Sequence, residues 1–193
     1  SHFGTTACEM NSFLKKVNRP HVVTIYGYDG SGAITKKSVV KKYRRLFKTI
    51  SIMVVLCEKV KQRMIALGCD PAKIRIWNMP AGIENYSYKA RSHEQSKTTR
   101  FIMAARFAEA KGHLYLLEAF SKILKKGHDC RLTLLGYGHH YEMIKKKIFD
   151  LNLDSNVTLI NNELSGDFST QYNALLNTHD IFVLPSIQAQ DGT

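Results

Sequence analysis

Short apolar runs rich in β-branched residues alternate along this chain with longer stretches of helical periodicity. In the second half, residues 101–105 predict a strand. Leu114, Leu117, Phe120, Ile123 and Leu124 then fall on one helical face, with Lys122, Lys125 and Lys126 on the other, and predict a helix over 114–124. A strand at 131–135, a helix at 141–151, a strand at 157–160 and a helix at 170–176 follow. The last predicted strand, 181–184, is stopped by Pro185. This order predicts a parallel, doubly wound sheet. The first half reads the same way, with strands at 22–25, 52–56 and 74–77. A helix at 58–67 ends at Gly68, with Pro71 beyond it. Val39, Tyr43, Leu46, Phe47 and Ile50 place another helix within 36–48. Residues 84–99 are polar and aperiodic and predict an interdomain linker, so the chain divides into residues 1–90 and 91–193. The expected class is α/β, with two Rossmann-like domains.

Charge sharpens that division. Residues 1–98 carry 18 Lys and Arg against 6 Asp and Glu, whereas residues 99–193 carry 10 of each. The whole formal charge of +12 therefore lies in the first half, which implies two regions with different partners. Seven cations fall between Lys36 and Lys48 with no acid among them. The apolar stripe of this helix packs on a sheet. Its cationic face, above all Lys41, Lys42, Arg44 and Arg45, is either solvated or turned to an anionic membrane or acceptor. Each cation near an anionic surface contributes roughly 1 kcal/mol, so reversible peripheral binding needs no lipid anchor. Nucleic acid is not an expected partner, because Tyr43 and Phe47 lie on the apolar stripe and are not free to stack.

Composition excludes other classes. A hydrophobic content of 44% over 193 residues is enough for a real core. No apolar run is long enough to span a bilayer, and no signal peptide is visible in a chain that begins with Ser1. Cys8, Cys57, Cys69 and Cys130 show no zinc spacing and read as reduced core thiols of a cytoplasmic protein.

The stretch Arg106 to Gly112, RFAEAKG, carries the most chemistry. It joins a strand to a helix, with Arg106 and Lys111 five residues apart and Gly112 at the turn. Two cations at a helix N-terminus make an anion site suited to a diphosphate, although the loop alone also fits an ordinary βα connection with solvated cations. Gly136-Tyr137-Gly138 follows a strand, but Tyr141 stands where a dinucleotide fingerprint needs its third glycine, so a nicotinamide reading fails. His139 and His140 are adjacent without a third ligand at helical spacing, so no metal is expected. Asp29 either binds an acceptor hydroxyl or caps a turn with Gly30.

Taken together, RFAEAKGHLYLLEAF, LTLLGYG, NVTLI and HDIFVLPSIQAQDGT resemble the nucleotide-sugar-binding domain of family-4 retaining glycosyltransferases, of the exopolysaccharide or colanic-acid type. HFGTTA and PHVVTIYGYDG resemble the acceptor-side domain of that family more loosely. The resemblance implies a GT-B-like fold, a nucleoside-diphosphate sugar donor, a glycan or lipid-linked acceptor, and neither cofactor nor essential metal. It places Arg106, Lys111, Gly136, Gly138 and Glu163 on the donor, His2 beside the donor sugar as the catalytic candidate, and Tyr26 and Asp29 on the acceptor. His2 equally fits a histidine at a strand end. Tyr26 stands where the family has His in its His-Gly-x-Asp segment, a departure from the family pattern. The approach Pro185-Ser186 to Asp191-Gly192-Thr193 resembles the lead-in to an E-x7-E segment beyond Thr193, so both domains are expected to be truncated and the fragment inactive alone. The alternative is a non-enzymatic nucleotide- or membrane-binding α/β module. A glycan phosphorylase relative is a further alternative, but no lysine site for its pyridoxal group is recognisable.

Overall fold

The computed structural model describes residues 1–17, 19–79, 82–89, 97–161 and 168–189. The chain divides into two compact units, Ser1–Ala81 with Gln188–Thr193, and Gly82–Ile187.

The first unit is a parallel three-stranded sheet, β1 (Val22–Ile25), β2 (Ile52–Val55) and β3 (Ile74–Ile76), in that order. Val22 pairs with Ile52 and Met53 with Ile74. The strands alternate in burial, so Val23, Ile25, Met53 and Val55 enter the core. Three helices supply the rest of that core: α1 (Gly4–Val17), α2 (Lys37–Phe47) and α3 (Glu58–Ala66). Tyr43, Leu46 and Phe47 of α2 are buried, as its apolar spacing predicts. Lys73 Nζ donates to Phe47 O at 3.0 Å and so satisfies a carbonyl at the end of α2. Helix α1 has no counterpart in the sequence reading. Only Gly4 and Ala7 of it are buried, and Met10, Phe13 and Val17 stay exposed, so its apolar periodicity is weak.

The second unit is a parallel four-stranded sheet in the order β6-β5-β4-β7. Its strands are β4 (Thr99–Ala104), β5 (Cys130–Gly136), β6 (Val157–Asn161) and β7 (Ile181–Phe182). The crossovers are α4 (His113–Lys125), α5 (Tyr141–Asp150) and α6 (Phe168–Thr178). Met103, Phe107, Leu117, Phe120, Leu132, Leu134 and Ile144 form the core. Strand β5 is buried along most of its length, as expected of a strand between two parallel neighbours. From β4 the chain moves outward through β5 to β6, then returns to place β7 on the other side of β4. The strand order therefore reverses at β4 and β7, and ligands of open α/β sheets bind outside the strand ends at such a point.

Three expectations change. The units divide at 81/82 rather than 90/91, and residues 83–89 are not a free linker. Ser87 N and Lys89 N donate to the side-chain oxygens of Asn173 and Asn177 at 3.3 and 2.9 Å, so this segment docks on α6. Strand β7 is shorter than 181–184: its ladder with β4 pairs only Ile181 and Phe182, and Val183 N adds one bond to Ile102 O at 2.9 Å. Cys69 and Cys130 are buried, but Cys57 is exposed at the N-cap of α3, so the four thiols are not all in the core.

Candidate functional site

The end of β4 leads directly into the Arg106–Gly112 loop. Phe107 is fully buried and anchors it. Phe107 N donates to Tyr137 O at 2.7 Å, and His140 N donates to Phe107 O at 3.1 Å. The loop is thus sewn to the connection after β5. Two of the expected glycines make this possible. A Cβ on Gly136 would collide with Ala105 O, and one on Gly138, at φ +144°, with Phe107 O. Their role is close approach of backbone to backbone, with no ligand needed to explain it.

Residues Glu109–Lys111 form one 3₁₀ turn, and Gly112 enters α4 in the left-handed region at φ +74°. Ile187 N donates to Ala110 O at 2.9 Å, so the chain after β7 closes the other side of the loop. Arg106 is exposed and Lys111 half-buried. Neither has an acidic partner within ion-pair distance among the described residues. Two uncompensated cations therefore stand at the sheet end where the strand order reverses, a geometry that fits a polyanionic ligand.

Beside them lies a residue the sequence reading passed over. His113 is 3% exposed, its ring meets Phe107 edge-on at 5.2 Å, and neither ring nitrogen has a partner. Burial, helped by His140 and Lys111, pushes its pKa down to about 4, so it is neutral near pH 7. The signal was present in the sequence as the histidine directly after Lys111-Gly112, but its apolar neighbours carried the helical pattern without it. His139 and His140 touch edge-on at 4.6 Å, and among the described residues no group of three or more His, Cys, Asp or Glu gathers. Glu163 lies outside the described residues.

In the first unit, Ser1 to Phe3 run alongside β1. His2 bridges Thr24 in parallel, and Phe3 N donates to Thr24 O at 3.0 Å. Phe3 then adopts φ +64°, which costs about 1 kcal/mol or more for a bulky residue and turns the chain into α1. His2 Nδ1 and the Tyr26 hydroxyl form a hydrogen bond, and their rings stack at 5.9 Å. The structure thus brings together two of the expected residues. Asp29 behaves otherwise. It is 2% exposed, Oδ2 accepts from Gly4 N and Oδ1 from Tyr26 N, both at 2.9 Å. With both oxygens engaged inside the fold, it joins α1 to the β1 exit. Lys41, Lys42, Arg44 and Arg45 are all exposed on α2. Arg44 Nε donates to Leu67 O at 3.2 Å, so this cation is partly tied to the end of α3.

Residues 86–192 match the family model described as glycosyl transferases group 1. The chain belongs to that family. Over 99% of its length it is 29% identical to the amylovoran biosynthesis glycosyltransferase AmsK of Erwinia amylovora, of which it covers 46%. It is 26% identical over its full length to WcaL of Salmonella typhimurium, named for colanic acid biosynthesis, and covers 47% of that protein. The chain thus spans about half the length of these relatives. Among solved structures, sucrose-phosphate synthase from Thermosynechococcus elongatus superposes with a TM-score of 0.74 at 12% identity, over 96% of this chain and 49% of that one. HepE of Anabaena in complex with UDP-glucose gives 0.73 at 14% identity, over 94% and 51%. These likenesses show the α/β, GT-B-like fold. Among the described residues no helix is long and apolar enough to cross a membrane.

Proposed function

We propose that the whole protein transfers a sugar from a nucleoside-diphosphate sugar to a glycan or lipid-linked acceptor in exopolysaccharide synthesis. The observation that carries this reading is the uncompensated pair Arg106 and Lys111 on the loop leaving β4, at the reversal of strand order. As the glycosidic bond breaks, negative charge develops on the leaving diphosphate. Fixed cations stabilise that charge more than the ground state, which is what acceleration requires. UDP-glucose in HepE and the polysaccharide names of AmsK and WcaL support the substrate class. Within this reading the enzyme is a retaining, hexosyl-type transferase of family 4. The second unit holds the donor, with Glu163 on the base, and the first unit holds the acceptor, with His2 beside the donor sugar and Tyr26 orienting it. The basic face of α2 makes peripheral contact with an anionic membrane on the cytoplasmic side. Lys36 and Lys37 at the start of α2, with no acid in its first turn, oppose the helix dipole, a local cost that a facing anion offsets.

The test is calorimetric titration with UDP and GDP. A charge-assisted hydrogen bond contributes about 1.5–3 kcal/mol, so Arg106→Ala and Lys111→Ala should each weaken the better ligand on the order of tenfold to hundredfold. Unchanged affinity in both variants would remove the basis of this reading.

A further inference from the structure

The ladder between β4 and β5 continues past its last paired strand residues, Ala104 and Leu135. Ala105 N donates to Leu135 O at 3.0 Å and Phe107 N to Tyr137 O at 2.7 Å, so Arg106 stands opposite Tyr137 in register. Neighbouring strands lie about 4.8 Å apart, which makes these two residues neighbours at the carboxyl end of the sheet. Both are exposed, whereas Phe107 turns into the core. The backbone that carries Tyr137 is held on either side of it. Gly136 and Gly138 approach Ala105 O and Phe107 O too closely for a Cβ, and Tyr141 N donates to Gly138 O at 3.1 Å where α5 begins. The Tyr137 side chain, by contrast, has nothing of its own to hold. It is 40% exposed, and among the described residues its hydroxyl has no hydrogen-bond partner and its ring no aromatic neighbour. A single exposed aromatic is ordinary on a protein surface. A partnerless one on pinned backbone, beside an uncompensated arginine at the ligand end of an open sheet, is a ready contact surface.

We propose that Tyr137 is the platform on which the base of the donor nucleotide stacks. This role rests on reading Arg106–Gly112 as the diphosphate loop. With the diphosphate on Arg106 and Lys111, the nucleoside leaves the loop along the strand ends. Toward β7 the loop is taken by the chain after that strand, since Ile187 N donates to Ala110 O at 2.9 Å. Toward β5 the first residue past the strand is Tyr137. Every nucleobase has a π-face, so stacking there gives affinity without choosing among bases. Backbone that is already fixed loses little further freedom when the ring is covered, so more of the contact is expressed as affinity. The cations then hold the charge of the donor, and Tyr137 holds its nucleoside. The ring carries the contact and the hydroxyl is dispensable, so phenylalanine serves equally well in its place.

Titration with UDP, GDP and inorganic pyrophosphate separates the base from the charge. Tyr137→Ala should raise the dissociation constants of UDP and GDP on the order of tenfold and leave that of pyrophosphate within about twofold. Tyr137→Phe should bind all three like the wild type. Tyr137→Leu keeps apolar bulk without a π-face and should lose UDP as the Ala variant does. Circular dichroism checks the fold of each variant, and the Leu variant carries the comparison if the Ala variant fails to fold. In NMR spectra of bound UDP, the uracil ring protons should move upfield with the wild type and the Phe variant and not with the Leu variant. A folded Ala or Leu variant that binds UDP like the wild type overturns the proposal. So does an equal loss of pyrophosphate, which would mean that the ring only braces the loop. A Phe variant as weak as the Ala variant also overturns it, because the contact would then belong to the hydroxyl. Unchanged pyrophosphate affinity in Arg106→Ala and Lys111→Ala would overturn the diphosphate reading, and with it the path from loop to ring, whatever the Tyr137 variants do.

Discussion

Acidification should destabilise the second unit through His113, and the sign and size follow from its burial. The group ionises near 6.5 when free and near 4 in the fold, because desolvation and the neighbouring Lys111 and His140 disfavour its charged form. The neutral form is therefore the one the fold prefers. Below pH 6.5 the unfolded chain takes up a proton that the folded chain refuses, so stability falls as pH drops from about 6.5 to about 4 and is level beyond. At 1.4 kcal/mol per pH unit the complete loss is about 3 kcal/mol, of which about 2 kcal/mol is lost between pH 7 and pH 5. The ring is 3% exposed, so solvent screening takes little from this figure. Urea unfolding of the wild type and His113→Phe at pH 7 and pH 5 measures it. His21, also buried and lowered by desolvation and by the N-terminal ammonium, contributes with the same sign in the first unit. The decisive quantity is therefore the difference between the two proteins. The wild type should lose about 2 kcal/mol more than the variant over this interval. Parallel losses would mean that His113 reaches solvent or a proton-accepting partner, and the burial argument would fail.

Other outcomes follow from the loop and the basic helix. Gly136→Ala forces a Cβ into Ala105 O, so it should destabilise the second unit by about 1–3 kcal/mol and weaken UDP binding together; a neutral effect on both would show that the loop is not held by this approach. Replacing Lys41, Lys42, Arg44 and Arg45 by Gln should abolish co-sedimentation with anionic vesicles while leaving the helical signal intact, because Tyr43, Leu46 and Phe47 hold α2 in place. Equal binding of the wild type to neutral and anionic vesicles, or no effect of added salt, would contradict an electrostatic contact.

The strands and crossover helices were legible because each follows a single rhythm. The spacing that predicts a helix over 114–124 returns as His113–Lys125, and 22–25 returns unchanged. Long-range partners were not legible. Helix α1 hides because it buries only Gly4 and Ala7, two small residues that leave no hydrophobic stripe. The segment 83–89 looks like linker because its fastening uses its own backbone N–H groups and the side chains of Asn173 and Asn177, nearly ninety residues away. At the site, Arg106 and Lys111 announce themselves by charge and spacing. His113 does not, since nothing in its local sequence says that Phe107 and the start of α5 close over it. Asp29 is a different case. Its type and motif fit a ligand or a turn cap, and only the fold reveals the two amides that it accepts from.

That capture makes Asp29 the junction on which the His2 and Tyr26 pair depends. Gly4 N, at the start of α1, and Tyr26 N, just past β1, both donate to its carboxylate, and its own carbonyl accepts from the Tyr43 hydroxyl at 2.8 Å. The negative charge also faces the positive end of α1. Asp29→Asn preserves shape but turns an NH₂ toward one of the two amides. One hydrogen bond to a charged group is lost and a buried donor is left facing a donor, so the expected cost is about 2–4 kcal/mol. Urea unfolding followed by far-UV circular dichroism measures this cost. Because Phe3 already sits at φ +64°, release of Gly4 should let the Ser1–Phe3 segment relax from β1. The His2 and Tyr26 rings should then separate, seen by NMR as loss of their ring-to-ring NOEs in the Asn variant. A cost within about 0.5 kcal/mol, or retained His2–Tyr26 NOEs in a folded Asn variant, would show that the carboxylate is not what holds this corner, and would return Asp29 to the residues free to meet an acceptor.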